Sequence, residues 1–292
     1  MGYIKNISAF HFRNFDHFSY DFSKNCNVLF GKNGSGKTNI LEAISLLSKG
    51  RGIRKDQLLN IIKKNHKKFK INADFKHNDI IYKLTSETHE SNKKILKKIL
   101  VNNENSKEML ENISKLSPYL YFMPETERLF LSSPSKRRNF IDLFVYSKSH
   151  NYNRIINDYN KNILERAKVL NNNMNDKNWL NKIEENISRL GIEIYLARKK
   201  QVDILINNLN FFLKSFNLPY SLFANLKDNF FNEKVNEDFY IDQLKNNRDF
   251  DALVGGSKIG PHKSDYLFYA NNEFLVSQLS TGQQKTIILL IF

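Results

Sequence analysis

Cysteine is almost absent from this chain of 292 residues, and no long apolar run occurs in it. The single cysteine, Cys26, excludes an internal disulfide framework and fits a reducing compartment. Seven scattered histidines and one cysteine also provide no zinc-ligand spacing. The longest apolar stretch, residues 287–292, is too short to cross a bilayer, and the N-terminus lacks a secretory apolar segment. These absences predict a cytoplasmic protein.

Acidic residues are scarce relative to basic ones. The chain has 30 Asp and Glu against 45 Lys and Arg, which leaves a net charge of +15. An excess of this size favours a polyanionic partner, either nucleic acid or an anionic membrane surface. A codon bias could exchange Arg for Lys, but it does not readily create an excess of bases over acids. Charge alone leaves both kinds of partner open. The 13% aromatic content excludes a disordered chain.

Glycine is concentrated where the chain could surround a phosphate group. Residues 31–38 fit the pattern G-x-x-x-x-G-K-S/T without a mismatch, and they are Gly31, Lys32, Asn33, Gly34, Ser35, Gly36, Lys37 and Thr38. Glycines permit positive φ angles and let backbone N–H groups approach phosphate oxygens. A buried strand at 28–30 is expected before this loop. An amphipathic helix is expected after it, because apolar residues recur at helical spacing from residue 40 to residue 47.

The last residues of the loop have separate expected roles. Lys37 would reach the β and γ phosphates of a nucleotide, and the Thr38 hydroxyl would ligate Mg²⁺. The N-terminus of the following helix adds partial positive charge at the same phosphates. A Rossmann site is excluded, because Gly31, Gly34 and Gly36 are not spaced as G-x-G-x-x-G. The loop therefore predicts nucleotide binding.

A second candidate segment lies near the end of the chain and reads LSTGQQK from residue 279 to residue 285. Ser280 is typical of a helix N-cap, and Gly282 leaves room for an approaching phosphate. A helix that begins here would present backbone donors and its dipole to an anion. Ser280, Gly282 and Gln283 are therefore candidate nucleotide contacts. An ordinary capped helix explains the same residues equally well.

Apolar spacing indicates strands near both ends of the chain and helices in the middle. Strand-like stretches lie at 3–22, 69–84, 95–101 and 266–269. Apolar residues at helical spacing run through 152–170 and 183–194. Because the polar stretch 171–178 separates them, these residues indicate a helical hairpin, with the stripes packed into a core.

We therefore expect an α/β fold, with mixed sheets and an inserted, mainly helical second lobe. The predicted first lobe covers residues 1–125, the helical lobe covers 126–249, and residues 250–292 return to the first lobe. Neither helical stripe is long enough for an extended coiled-coil arm.

The motifs resemble those of one ATPase family. Residues 279–283 are similar to the LSGGQ signature of ABC-type ATPases, with Thr281 in place of the first glycine. Further segments are similar, in the same order, to elements of the RecF family, which belongs to the SMC and ABC group. They are FRNF at 12–15, GKNGSGKTN at 31–39, GRGIR at 50–54, SPSKRRNFID at 133–142 and GPHKSD at 260–265.

The resemblance implies an SMC or ABC-type ATPase with ATP and Mg²⁺ as cofactors. It implies that Ser280, Gly282 and Gln283 of one subunit cover ATP held by the phosphate loop of the other, which closes a head-to-tail homodimer. It also implies ATP-dependent binding of DNA, double-stranded or at gap junctions, loading of recombinase with recombination mediator proteins, and involvement in the SOS response. No base-reading motif is visible, so recognition of backbone and junction shape is expected.

The sequence departs from the family pattern after residue 285. A Walker B strand ending in Asp-Glu, a D-loop and a switch histidine are expected there, and the 292 residues contain none of them. No catalytic residue is therefore assigned, and negligible ATP hydrolysis is expected. The apolar run 287–292 is expected to leave apolar surface exposed. Two alternatives stay open: a truncated, hydrolysis-deficient product that retains only nucleotide or DNA binding, and a small-molecule phosphate-loop kinase.

Five further positions each permit two interpretations. Arg137 and Arg138 fit either a solvent-facing helix turn or a functional block. His262 fits either a packed residue beside a Gly-Pro turn or a functional group. Arg51 and Arg54 could face nucleotide or DNA, and the position of the Q-loop is not assigned.

Overall fold

The computed structural model describes residues 2–92, 94–116, 120–149, 151–171, 177–228, 230–231 and 236–292. The chain forms two compact units, Met1–Tyr121 and Phe122–Phe292, called here the N-terminal and C-terminal units. Antiparallel sheets combined with long helices confirm the predicted α/β class. The finer division into lobes at 1–125, 126–249 and 250–292 stays a prediction.

A five-stranded antiparallel sheet is the frame of the N-terminal unit, in the order β2-β1-β3-β4-β5. Its strands are β1 (Gly2–Phe12), β2 (Phe15–Asp21), β3 (Lys70–His77), β4 (Ile80–Ser91) and β5 (Lys94–Val101). Its helices are α1 (Lys37–Ser45), α2 (Leu58–Ile61) and α3 (Lys107–Leu116). These strands confirm the strand-like stretches predicted between residues 3 and 101.

One face of this sheet forms a core with α1. Ile7 and Ala9 of β1 are buried, and they pair in register with Ala73 and Ile71 of β3. Side chains alternate across a strand, so these residues share one face. Ile40 of α1 belongs to the same buried cluster. The sheet therefore positions the helix that follows the glycine-rich loop.

The strand predicted at 28–30 is not present. Val28 and Phe30 are 77% and 92% exposed, and the segment pairs with no strand in the part of the chain that the structure describes. An apolar strand of this kind is stable only between neighbouring strands and beneath covering helices. The apolar pattern does not itself supply those neighbours, and the prediction of a buried strand before the loop is wrong.

The C-terminal unit combines long helices with a three-stranded antiparallel sheet in the order β6-β7-β8. Its strands are β6 (Leu222–Lys227), β7 (Asp265–Ala270) and β8 (Phe274–Leu275). Its helices are α4 (Pro134–Lys148), α5 (Tyr152–Asn171), α6 (Lys177–Ser215), α7 (Glu237–Asn246), α8 (Arg248–Val254) and α9 (Thr281–Ile291). Within the described ranges, none of the helices is both long and apolar enough to span a bilayer.

The predicted helical hairpin is confirmed by α5 and α6. Tyr159 of α5 and Ile183, Ile187 and Ile194 of α6 are buried in one cluster, as their helical spacing predicts. The polar stretch predicted between the two helices lies largely outside the described residues, which resume at Lys177.

The apolar run 287–292 covers the end of α9 and the residue after it, and it is partly buried. Ile287 and Ile288 are buried. The ring of Phe292 lies within 6.0 Å, centroid to centroid, of three other rings, those of Phe122, Phe140 and Phe144. The predicted exposure of this run is therefore wrong for Ile287 and Ile288, whereas Leu289 and Phe292 are 51% and 41% exposed.

Candidate nucleotide-binding site

The phosphate loop turns at its glycines and leads directly into α1. Gly34 and Gly36 have φ angles of 83° and 95°, in the left-handed region that a side chain disfavours. A Cβ on Gly36 would also lie 2.3 Å from the ring of Phe15, whereas a Cβ on Gly34 would meet nothing within 4 Å. Gly36 is therefore required both by its own backbone and by Phe15, which belongs to the 12–15 segment.

The loop presents donors at the N-terminus of α1. Gly36 is the N-cap of this helix, no side chain caps it, and the first turn contains no acidic residue. The Lys37 ammonium donates to the backbone carbonyls of Gly31 (2.7 Å) and Lys32 (2.9 Å), so it lies against the loop. Thr38 is exposed in the first turn. Backbone donors, the positive end of a helix dipole and an ammonium group together suit an anion such as a phosphate.

A buried carboxylate organises the middle of α1. Glu42 is fully buried and accepts hydrogen bonds from Nε (2.8 Å) and Nη2 (2.6 Å) of Arg13 and from Nη1 of Arg54 (3.0 Å). Arg13 also donates to Asp56 (3.0 Å). The hydrogen bond to Glu42 is the main reason why the pKa of Arg13 is raised. Arg54 also donates to Asn39 (2.8 Å), so Arg54 lies against the helix that carries the phosphate loop.

The opposite end of α1 is held by Lys97 of β5. The Lys97 ammonium donates to the carbonyls of Leu46 (3.2 Å) and Ser48 (2.7 Å). A cation at a helix C-terminus interacts favourably with the negative end of the helix dipole. Burial lowers the pKa of Lys97 to about 8. Side chains from elsewhere in the N-terminal unit therefore fix α1 along its length.

The second candidate segment forms the N-terminus of α9 in the C-terminal unit. The Ser280 hydroxyl accepts from the backbone N–H of Gln283 (3.3 Å), and the Gln283 side chain accepts from the N–H of Ser280 (3.0 Å). This reciprocal capping box confirms Ser280 as the N-cap. A Cβ on Gly282 would meet nothing within 4 Å, so the backbone there is open. Contact of these three residues with a nucleotide stays a prediction.

The segments at 133–142 and 260–265 meet in the C-terminal unit. Arg137 makes a bidentate ion pair with Asp265, with both N–O distances at 2.8 Å. Arg137 is buried, so a solvent-facing position is wrong for this residue. Arg138 is half-buried, and its guanidinium donates to the backbone carbonyl of Ser264.

His262 is a packed residue that holds this turn. Its Nε2 lies 3.1 Å from the carbonyl oxygen of Ser257, which can only accept, so Nε2 carries the proton. Its Nδ1 then accepts from the Tyr159 hydroxyl at 2.7 Å. Burial lowers the pKa of His262 to about 4, so the ring is neutral at pH 7. Of the two interpretations from sequence, these contacts favour packing.

Three residues that support the candidate site were not singled out from the sequence. Glu42 and Asn39 anchor the arginines beside the phosphate loop. Gln284 is buried, and its Nε2 donates to the carbonyls of Ser277 (3.2 Å) and Leu279 (2.8 Å). The available signal was weak: an acidic residue on an apolar helix, and a second glutamine directly after the LSTGQ segment.

Comparison with known proteins agrees with the motifs. The family model described as RecF/RecN/SMC N terminal domain matches residues 3–127. Proteins described as DNA replication and repair protein RecF, from Rickettsia massiliae and Rickettsia typhi, are each 30% identical to this chain. Each alignment covers 99% of this chain and 80% of the Rickettsia protein.

Solved structures share the fold. A structure described as the recombination mediator protein RecF-ATPrS has a TM-score of 0.85 at 24% identity, over 99% of this chain and 79% of that one. An Smc head domain from Pyrococcus furiosus has a TM-score of 0.54 at 16% identity, over 100% of this chain and 78% of that one. These likenesses confirm the SMC and ABC-type fold. The identity and coverage of the Rickettsia proteins show that this chain belongs to the RecF family of DNA replication and repair proteins.

Proposed function

We propose that this chain is an ATP-dependent DNA-binding protein of recombinational repair and replication. It dimerises around ATP, clamps DNA and helps load a recombinase at gaps, with involvement in the SOS response. The observation that carries the proposal is the phosphate loop, where Lys37 lies against the loop beside the uncapped N-terminus of α1. Membership of the RecF family supports the proposal, and one solved relative is described as RecF-ATP.

ATP binds with its β and γ phosphates against residues 31–38. An arriving phosphate offers the Lys37 ammonium an anionic acceptor in place of two neutral carbonyls. The ammonium keeps its hydrogen bonds and gains the attraction of an opposite charge, so the exchange is favourable. Thr38 is exposed in the first turn of α1 and offers Mg²⁺ a hydroxyl oxygen, a ligand type that this cation accepts. Phosphate oxygens and water would supply its other ligands.

The dimer forms when α9 of a second copy covers the nucleotide. Ser280, Gly282 and Gln283 lie at a helix N-terminus whose backbone has no side chain over Gly282. Such a helix end favours a γ-phosphate through its dipole and its backbone donors. ATP would then bridge the phosphate loop of one copy and α9 of the other, and loss of the γ-phosphate would remove this bridge.

DNA is the proposed polyanionic partner, because the net charge of +15 attracts its phosphates. Binding through phosphates is independent of sequence and weakens steeply with salt. Double-stranded DNA or gap junctions are the proposed targets, and recombination mediator proteins are the proposed partners. The relatives described as DNA replication and repair proteins support this part of the proposal.

Nucleotide-dependent binding, rather than turnover, is the proposed activity of these 292 residues. Phosphoryl transfer to water needs a residue that positions the water and a group that holds Mg²⁺. No segment of the sequence has an apolar strand ending in Asp-Glu. We therefore expect negligible ATP hydrolysis, and steady turnover that disappears in Lys37→Ala contradicts this expectation.

Retention of DNA tests the proposal. Wild-type protein is incubated with immobilised duplex or gapped DNA, with ATP, with ADP or without nucleotide. We expect the wild type to retain DNA with ATP but not with ADP or without nucleotide. Lys37→Ala removes the phosphate contact and Ser280→Arg blocks the N-terminus of α9, so both variants should lose this retention. Ser215→Arg makes the same chemical change at the exposed end of α6 and serves as the control. DNA retention that is equal with and without ATP contradicts the proposal.

A further inference from the structure

The turn at 260–265 is fixed more firmly than a surface turn requires. Gly260 has a φ of 117°, and a Cβ there would lie 2.0 Å from the Tyr240 hydroxyl and 2.5 Å from that of Tyr159. The carbonyl of Pro261 accepts from Arg198 (2.6 Å), and the backbone N–H of Lys263 donates to the carbonyl of Gly260 (2.9 Å). Side chains of α4, α5, α6 and α7 therefore contact this turn, and exposed Lys263 stands on it.

Charge around this turn is not balanced. Arg198 pairs with Asp142 through two hydrogen bonds (2.8 and 2.9 Å), and the Arg137 pair with Asp265 is likewise bidentate. Both carboxylates are occupied by these two arginines. Arg138 and Lys263, which we call the basic pair, make no ion pair with a carboxylate in the described part of the chain.

The carboxylates nearest Arg138, those of Asp265 and Asp142, compensate its positive charge only in part. Burial, and then the positive charge of Arg198, lower the pKa of Arg138. The charges of Lys263 and Arg138 also contribute to the lowered pKa of His262, although burial is the larger cause. Within the described residues, Arg138 makes one hydrogen bond, to Ser264, so other guanidinium N–H groups remain available.

We propose that Arg138 and Lys263 bind a phosphodiester group of the DNA backbone. The inference rests on the proposed DNA-binding function and names a contact site for it. A guanidinium presents a planar fork of donors that matches phosphate oxygens, and a nearby ammonium adds a second charge. Ser264 and the buried ion pairs already fix the positions of the turn and Arg138. The backbone of the turn and the Arg138 side chain therefore lose little conformational freedom on binding. The contact carries no base information and therefore positions DNA irrespective of sequence.

The test measures the salt dependence of duplex DNA binding by the full chain with ATP present. Each neutralised phosphate contributes about 0.9 to the slope of log K against log salt concentration. Because the pair faces one phosphate, we expect the double variant to lower that slope by about 0.9, and Lys263→Gln and Arg138→Gln each to weaken binding and lower the slope by up to that amount. Lys245→Gln, on an exposed part of α7, is the control and should leave the slope unchanged. ATP affinity, read with a fluorescent analogue, should be unchanged throughout.

The outcomes separate the site from the proposed function. If wild-type protein binds duplex DNA with ATP but both variants keep its slope and affinity, the basic pair is not the site, and the proposed function stands. If wild-type protein binds no DNA, the proposed function fails and the inference falls with it. Loss of ATP affinity in Lys263→Gln with DNA binding intact assigns the pair to a nucleotide phosphate and also overturns the inference. Lys263 is exposed, so Lys263→Gln decides the question even if Arg138→Gln disturbs folding.

Discussion

Glu42→Gln should destabilise the N-terminal unit, although the two side chains have nearly the same shape. The amide carries no charge, and its NH₂ group would face guanidinium donors where the carboxylate now accepts from Arg13 and Arg54. Removing one partner of a buried ion pair costs about 3–5 kcal/mol. The side chains of Arg13 and Arg54 are 15% and 35% exposed and recover part of their hydration. We therefore expect a loss of about 2–4 kcal/mol.

Hydrogen exchange of the amides of α1 measures this loss locally, which matters because the chain has two compact units. A loss of about 2–4 kcal/mol corresponds to exchange that is about 30-fold to 800-fold faster when opening limits it. Glu111→Gln is the matched control, because its ion pair with Lys49 is half exposed on both sides and 3.6 Å long. Exposed pairs contribute about 0–1 kcal/mol. Equal protection of α1 in the two variants would falsify the assignment of Glu42 as its anchor.

Three further substitutions test other parts of the fold. Gly36→Ala should abolish nucleotide binding while the melting of the C-terminal unit stays unchanged, and a normal nucleotide titration contradicts the steric reasoning. Lys97 has a pKa of about 8 in the folded chain against 10.5 ordinarily, so the unfolded chain binds more protons than the folded chain between these two pH values. The free energy of unfolding of the wild type should therefore rise with pH in this range. Lys97→Met should lack this rise, and parallel curves of stability against pH for the two proteins contradict the expectation. Arg166→Met removes the partner that pairs with the buried carboxylates of Glu184 and Asp251, and it should lower the free energy of unfolding in urea by about 3–5 kcal/mol. Arg154→Met, on the exposed side of α5, should lower it by less than about 1 kcal/mol. Equal urea midpoints for the two variants contradict a stabilising role for the buried Arg166 pairs.

Features with local causes could be predicted from the sequence. The cap at Ser280 depends on residues three positions apart, and the α5 and α6 hairpin follows from helical spacing over short windows. The α/β class follows from the same local patterns. These features need no knowledge of distant neighbours.

Features that depend on distant partners could not be predicted in the same way. Glu42 is recognisable as one acid on an apolar helix, but its partner Arg13 lies 29 positions earlier. Arg137 and Asp265 are 128 positions apart, so the pair gave no local signal, and Arg137 could be taken for a surface residue. The strand predicted at 28–30 was wrong for a related reason. Its apolar character is local, but a strand also needs partner strands, and these are distant in the sequence.

The contact between Phe15 and Gly36 also constrains how the sequence can diverge. The ring of Phe15 occupies the space that any side chain at position 36 would need. A larger residue at 36 therefore becomes tolerable only after position 15 has become smaller, and the positive φ at 36 opposes even that order of changes. Positions 15 and 36, which are 21 residues apart, should therefore change together among related sequences.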